Sequence, residues 1–164
     1  MLDIQMFAGG EHDLRLVLLA LLVCSFGAYA AIRLYKLALQ STGLVKLAWN
    51  FHGAVVAGSA IWCTHFVSML AFSTDMPVEF DPLKTMLSLI VAIYGMNLGF
   101  LIASLNGWRI APAIGGAFVG LTIATMHYLG MSGFHASGMM RWQPSLVVAS
   151  VVLGVGLSII AMSA

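Results

Sequence analysis

The sequence predicts an all-α integral membrane protein of about five transmembrane helices, built from repeated helix pairs, with its N-terminus outside. Three observations carry this. Of 164 residues, 61% are hydrophobic and 8% charged, where a soluble domain is about 25% charged, and the mean hydropathy is +1.00. The charged residues divide the chain into five charge-free stretches, 16–32, 47–74, 85–108, 110–140 and 142–164. Each reaches the roughly 17–25 residues needed to cross a hydrocarbon core. Finally, two of the stretches repeat each other in sequence.

Helices are the expected form, because backbone groups in lipid must find their partners within the segment. The stretches also lack the short alternating pattern of barrel strands. The spans are expected near 14–34, 47–72, 84–105, 110–131 and 144–162, after an extracytoplasmic segment 1–13. That first segment is acidic, lacks a short apolar core and has no cleavage site, so it does not read as a signal peptide. Orientation follows from the basic residues of short loops. The loop 33–46 holds Arg33, Lys36 and Lys46 and no acid, whereas 73–84 holds Asp75, Glu79, Asp81 and Lys84. The first and third loops are therefore expected in the cytoplasm, and helices two and four end at the outer face.

The repeat spans helices two and four at a spacing of 62 residues. Gly53/Gly115, Gly58/Gly120, Ile61/Ile123, His65/His127, Met69/Met131 and Phe72/Phe134 are identical, and the same spacing pairs Pro82 with Pro144 and Ser88 with Ser150. The unit is a helix pair, one member running inward and its partner running outward to end in a His-x-x-x-Met turn. The chain holds two such turns. The paired glycines read as positions of close helix approach.

A His and a Met four residues apart lie one turn apart on one helical face. Imidazole nitrogen with thioether sulfur suits a soft metal, Cu(I) foremost, while Mg²⁺ or Ca²⁺ would want oxygen. A lone membrane histidine is more commonly an interhelical hydrogen bond, and methionine a gap-filler. The pair occurring twice at one depth favours ligation. Met126, Met139 and Met140 crowd the same end, and His12 and His135 are expected at the same membrane face. Asn50, His52 and Asn97 read as interhelical or interfacial hydrogen-bonding residues, Cys24 and Cys63 as buried thiols, and Trp49, Trp62, Trp108 and Trp142 mostly as interfacial aromatics. A net charge of +1 without a basic patch gives no nucleic-acid surface. No Gly-x-Ser-x-Gly, His-Glu-x-x-His or Walker motif is present, and no paired carboxylates lie inside a span. No enzyme is expected in this chain.

Met126-His127-Tyr128-Leu129-Gly130-Met131 resembles the signature that names the MHYT domain, and the stretch from Trp62 to Phe72 around His65 and Met69 resembles another copy of that motif. The likeness runs over residues 10–164. It departs at Thr64, where Met is usual, at Ser68, where Gly is usual, and at Leu129, where Thr is usual. The resemblance implies a multi-pass domain of the bacterial cytoplasmic membrane, at the N-terminus of signalling proteins whose outputs are cyclic-di-GMP enzymes, histidine kinases or transcription regulators. It further implies copper held by His65, Met69, Met126, His127 and Met131, sensing a diatomic gas or redox signal. A third motif and an output domain are expected beyond Ala164, so 14–164 reads as an MHYT-like domain incomplete at its C-terminal end. The alternatives are a haem-binding protein with His65 and His127 as axial ligands, a transporter of a soft metal, and a structural membrane anchor.

Overall fold

A computed structural model describes residues 13–71, 78–136 and 143–164. Among them are five long helices: α1 (Leu14–Leu39), α2 (Gly43–Leu70), α3 (Pro82–Ala103), α4 (Ala111–Ser132) and α5 (Pro144–Ser163). All five are long and apolar enough to cross a membrane. At 1.5 Å per residue the shortest, with 20 residues, measures about 30 Å, the thickness of the hydrocarbon core. The chain is thus an all-α, multi-pass membrane bundle.

The helix starts follow from local chemistry. The Asp13 carboxylate accepts from the Arg15 backbone N–H at 2.9 Å, and Asp81 accepts from those of Leu83 and Lys84 at 2.9 and 3.2 Å. Proline opens the first turn of α3, α4 and α5, where its missing N–H costs nothing. The largest departure from the expected spans lies between α1 and α2. The stretch 33–46 was expected as a loop, but α1 continues to Leu39 and α2 begins at Gly43. Arg33 and Lys36 are exposed residues within α1, where a long basic side chain can stay on a helix and still reach water. The turn closes with Gly43 at φ +57°, a left-handed value that glycine adopts without strain.

Each helix packs chiefly on its neighbours in sequence, and α2 also meets α4. Ala31, Ala54, Ala57, Met96, Phe100 and Val119 form the core. The apolar faces of α1 and α5 point outward, and α5 buries no residue. Cys24 lies on such an outward face, not in the interior, and Cys63 is half-buried.

Among helices in lipid, van der Waals packing and interhelical hydrogen bonds replace the hydrophobic drive. The repeated glycines act in this way. A Cβ at Gly58 would lie 2.9 Å from the Ala92 carbonyl carbon of α3, and one at Gly120 would lie 2.6 Å from the Val155 Cα of α5. Gly58→Ala is therefore expected to destabilise the bundle by about 1–3 kcal/mol. Gly156→Ala, where a Cβ meets nothing within 4 Å, should be nearly neutral. Unfolding in mixed micelles checks both.

Polar ties join neighbouring helices in both repeats. The Trp62 indole of α2 donates to Ser88 Oγ of α3 at 3.0 Å, so this tryptophan ties two helices together. Tyr128 of α4 and Ser150 of α5, the repeat partner of Ser88, join hydroxyls at 2.5 Å. At the other end of α2, Asn50 is fully buried and donates to Ser104 Oγ at 3.4 Å, while Lys46 Nζ donates to the Ser104 carbonyl at 2.5 Å. Asn50 is thus the interhelical residue expected of it. His52 instead contacts the Ala48 carbonyl of its own helix.

A short antiparallel ribbon lies beyond the ends of α2 and α4. In it β1 (Val78–Phe80) pairs with β2 (Phe134–Ala136), with Glu79 opposite His135 and Phe80 opposite Phe134. The Asp81 backbone N–H donates to the Gly133 carbonyl at 2.8 Å, and Lys84 Nζ donates to the Ser132 carbonyl at 2.8 Å. A cation there complements the negative end of the α4 dipole.

Candidate functional site

Each repeated histidine stands five residues before the end of its helix, so both lie about 7–8 Å inside the same end of the bundle. The interface of α2 with α4 brings them together. His65 Nδ1 and His127 Nδ1 are 3.3 Å apart, and the rings meet edge to face at 71° with centroids 4.8 Å apart. The remaining nitrogen of His65, Nε2, is buried and has no hydrogen-bond partner among the described residues.

The close approach depends on Gly130 of α4. A Cβ there would stand 2.9 Å from His65 Nε2. Its repeat partner in α2 is Ser68, which is exposed. The two motifs are therefore not equivalent in space: α4 presents a bare backbone to the His65 ring, and α2 has no such constraint. In sequence, Ser68 is only a departure from the usual glycine. The asymmetry is the physical content of that difference.

From His65 a run of rings leads to the ribbon, starting with Phe66, which also lies against Gly130. Phe66 meets the His65 ring at a centroid distance of 5.0 Å, Phe80 meets Phe66 at 5.6 Å, and Phe134 meets Phe80 at 5.5 Å. This run joins the imidazole pair to the ribbon. It went unseen in the sequence, because three-residue strands leave no periodicity to read.

Of the expected ligands, the structure joins His65 and His127 directly. Met69 and Met131 follow their histidines by one turn on the same faces, and both are half-buried. Met126 is buried, with 1% of its surface exposed. Among the described residues no group of three or more His, Cys, Asp or Glu converges. A metal at this place would thus need thioethers to complete its shell. Met139, Met140 and His12 lie outside the described residues, as does the His135 side chain.

Comparison with known proteins gives this geometry a context. The family model described as MHYT, the bacterial signalling protein N-terminal repeat, matches residues 58–116 and 120–164. The chain belongs to the MHYT family. An uncharacterized signaling protein of Caulobacter vibrioides is 42% identical over 146 residues, which are 89% of this MHYT chain and 18% of that protein. The cyclic di-GMP phosphodiesterase NbdA of Pseudomonas aeruginosa is 35% identical over 91% of the chain and 19% of the phosphodiesterase. The bifunctional diguanylate cyclase/cyclic di-GMP phosphodiesterase MucR of the same organism is 32% identical over 85% of the chain and 21% of its own length. The MHYT chain therefore spans about a fifth of the length of the curated relatives it matches. No solved structure matches it.

Proposed function

We propose that this MHYT chain is the membrane sensory module of a bacterial signalling protein of the cytoplasmic membrane, and that His65 and His127 are the shared anchor of a bound copper ion. The approach of the two Nδ1 atoms to 3.3 Å carries the reading. A tetrahedral ion with metal–nitrogen bonds of about 2.0 Å holds two ligand nitrogens about 3.3 Å apart. Two imidazole lone pairs facing each other at that distance repel unless a proton or a cation lies between them. Met69 and Met131 would complete the donor set from one turn outward, with Met126 the further thioether of α4, and such sulfurs favour Cu(I). Bound there, copper would supply a one-electron couple, and release of a thioether would let a diatomic ligand reach it.

The protein's own part is to hold the pair. Gly130 lets the α4 backbone approach the His65 ring, and Phe66, which also lies against Gly130, meets that ring and begins the aromatic run to Phe134. A signal requires that ligand favour one of two arrangements. An ion gripped by α2 and α4 biases how these helices lie together, and the ribbon joins the same two helix ends. The relatives named as cyclic di-GMP enzymes support an output of that class in the full-length protein, a histidine kinase being the other class the family resemblance implies.

The geometry speaks against haem. Two axial nitrogens stand about 4 Å apart across an iron, with the macrocycle between them, whereas these rings abut.

Purified protein loaded with Cu(I) and freed of excess ion is expected to retain about one copper per chain, as a tetrahedral site built on one imidazole pair implies. Wild-type protein that stays metal-free under this loading would contradict the reading.

A further inference from the structure

The two His-x-x-x-Met turns end in the same way. Asp13 opens α1 and Asp81 opens α3, and both caps are extended, with φ/ψ of −67°/99° and −68°/114°. Each carboxylate turns back onto its own first turn, to the N–H of Arg15 in one and to those of Leu83 and Lys84 in the other. In a capping box, a Glu or Gln three residues on takes up the cap's own N–H. Here Leu16 and Lys84 stand at that place, and each cap's backbone N–H crosses to the next helix. That of Asp13 donates to the Ala71 carbonyl at 3.2 Å, and that of Asp81 to the Gly133 carbonyl at 2.8 Å. Ala71 and Gly133 cap the C-terminal ends of α2 and α4 and are themselves repeat partners.

A C-cap carbonyl has no donor left inside its helix, and an N-cap N–H has no acceptor inside its own. Near hydrocarbon such groups are costly unless they meet one another. Ala71, with 2% of its surface exposed, and Gly133 are both buried. The pairing therefore fixes where each helix bearing a His-x-x-x-Met turn stops, relative to the start of the helix before it. Each bonded carbonyl lies six residues beyond a histidine and two beyond a methionine, about 9 and 3 Å along the axis. Advancing a helix by one residue moves its imidazole about 1.5 Å and turns it by about 100°. The 3.3 Å approach of the two Nδ1 atoms does not survive such a slip. On α4 a side chain adds to the hold, since Lys84 Nζ donates to the Ser132 carbonyl, one residue beyond Met131.

We propose that Asp13 and Asp81 are positioning residues of the His65–His127 pair. Each clasps the end of the following helix through its backbone N–H, and so sets the height and rotation at which the two imidazoles meet. Lys84 is a second hold on α4. The two carboxylates act at one remove, by fixing the first turn from which that N–H is presented. The clasp serves the sensory site and rests on that reading for its purpose, but the arrangement it sets belongs to the metal-free protein and is tested there.

Metal-free protein in lipid bilayers, labelled with ¹⁵N-histidine, is expected to give a ¹⁵N–¹⁵N solid-state NMR cross-peak between His65 Nδ1 and His127 Nδ1. Asp13→Ala and Asp81→Ala, each retaining wild-type helical circular dichroism, should reduce that cross-peak several-fold. Asp13→Asn and Asp81→Asn should restore it, because an amide oxygen caps a helix about as well as a carboxylate. Lys84→Met, which takes away only the side-chain bond, is the milder variant and should weaken the cross-peak in the same direction. Asn50→Ala removes a buried hydrogen bond at the far end of α2. It lowers stability and should leave the cross-peak at its wild-type strength. The proposal is overturned by a wild-type protein without the cross-peak, or by an undiminished one in every folded variant of Asp13, Asp81 and Lys84. It is equally overturned if the Asn variants lose as much as the Ala variants, or if Asn50→Ala does. Copper loading of the same samples separates the two readings. A clasp-dependent cross-peak in protein that takes up no copper removes the metal site alone. Copper retained with an undiminished cross-peak in the folded Ala variants removes the positioning role alone.

Discussion

His65→Ala and His127→Ala are each expected to weaken copper binding by at least about 100-fold, a loss of about 2.7 kcal/mol. The double variant should lose little more than either single one. This non-additivity follows from the shared position of the two Nδ1 atoms, 3.3 Å apart on separate helices. Once one imidazole is gone, the other is a lone nitrogen on a half-buried helix face and no longer half of a chelate. Residues that act on a common partner couple in this way, whereas independent sites add. Competition with a chromophoric Cu(I) chelator across the four proteins measures both the loss and the coupling. Strict additivity would mean that the two rings serve different ions or none.

Gly130→Val should come next in effect, although it removes no donor atom. The first added carbon would stand 2.9 Å from His65 Nε2, so the His65 ring or the α4 backbone must move. Displacing the groups that orient a ligand commonly costs 10–100-fold in metal affinity, and a fall of about that size is expected here. Ser68→Val provides the contrast. It sits at the same place in the other repeat, but its side chain is exposed, and its β-branched replacement is well tolerated on a lipid-facing helix. Copper affinity should stay near the wild-type value. Equal losses in both variants would mean that the motifs are spatially equivalent, contrary to the asymmetry of α2 and α4.

Much of this architecture could be read from where the chain avoids charge. Five apolar stretches gave five helices, because a span without charges has one stable form in lipid. The same rule misplaced the join between the first two helices. Arg33 and Lys36 interrupt the charge-free stretch without ending the helix, because a long basic side chain can stay on a helix and still reach water, so charge marks a helix end only loosely. Gly43 at φ +57° set the true turn. The repeat made the site legible in outline: two His-x-x-x-Met turns at equal depth on helices of the same direction place His65 and His127 at one end of the bundle. That the rings would meet through Nδ1 was not legible. Helical rotation and a single missing Cβ at Gly130 decide it, and neither leaves a mark on hydropathy. The ribbon of Val78–Phe80 with Phe134–Ala136 was equally hidden, since it joins two segments that read only as loops. Ser88 and Ser150 lie between these cases. Their identity across the repeat was visible, but their partners, Trp62 and Tyr128, occupy different repeat positions.

X-ray absorption at the copper edge of the Cu(I)-loaded protein bears most directly on the shared ion. Two imidazole nitrogens together with sulfur scattering are expected around the metal, with His65→Ala removing the imidazole signature along with most of the bound copper. A shell of sulfur alone, or one imidazole whose signal survives in His65→Ala, would contradict a site held jointly by α2 and α4.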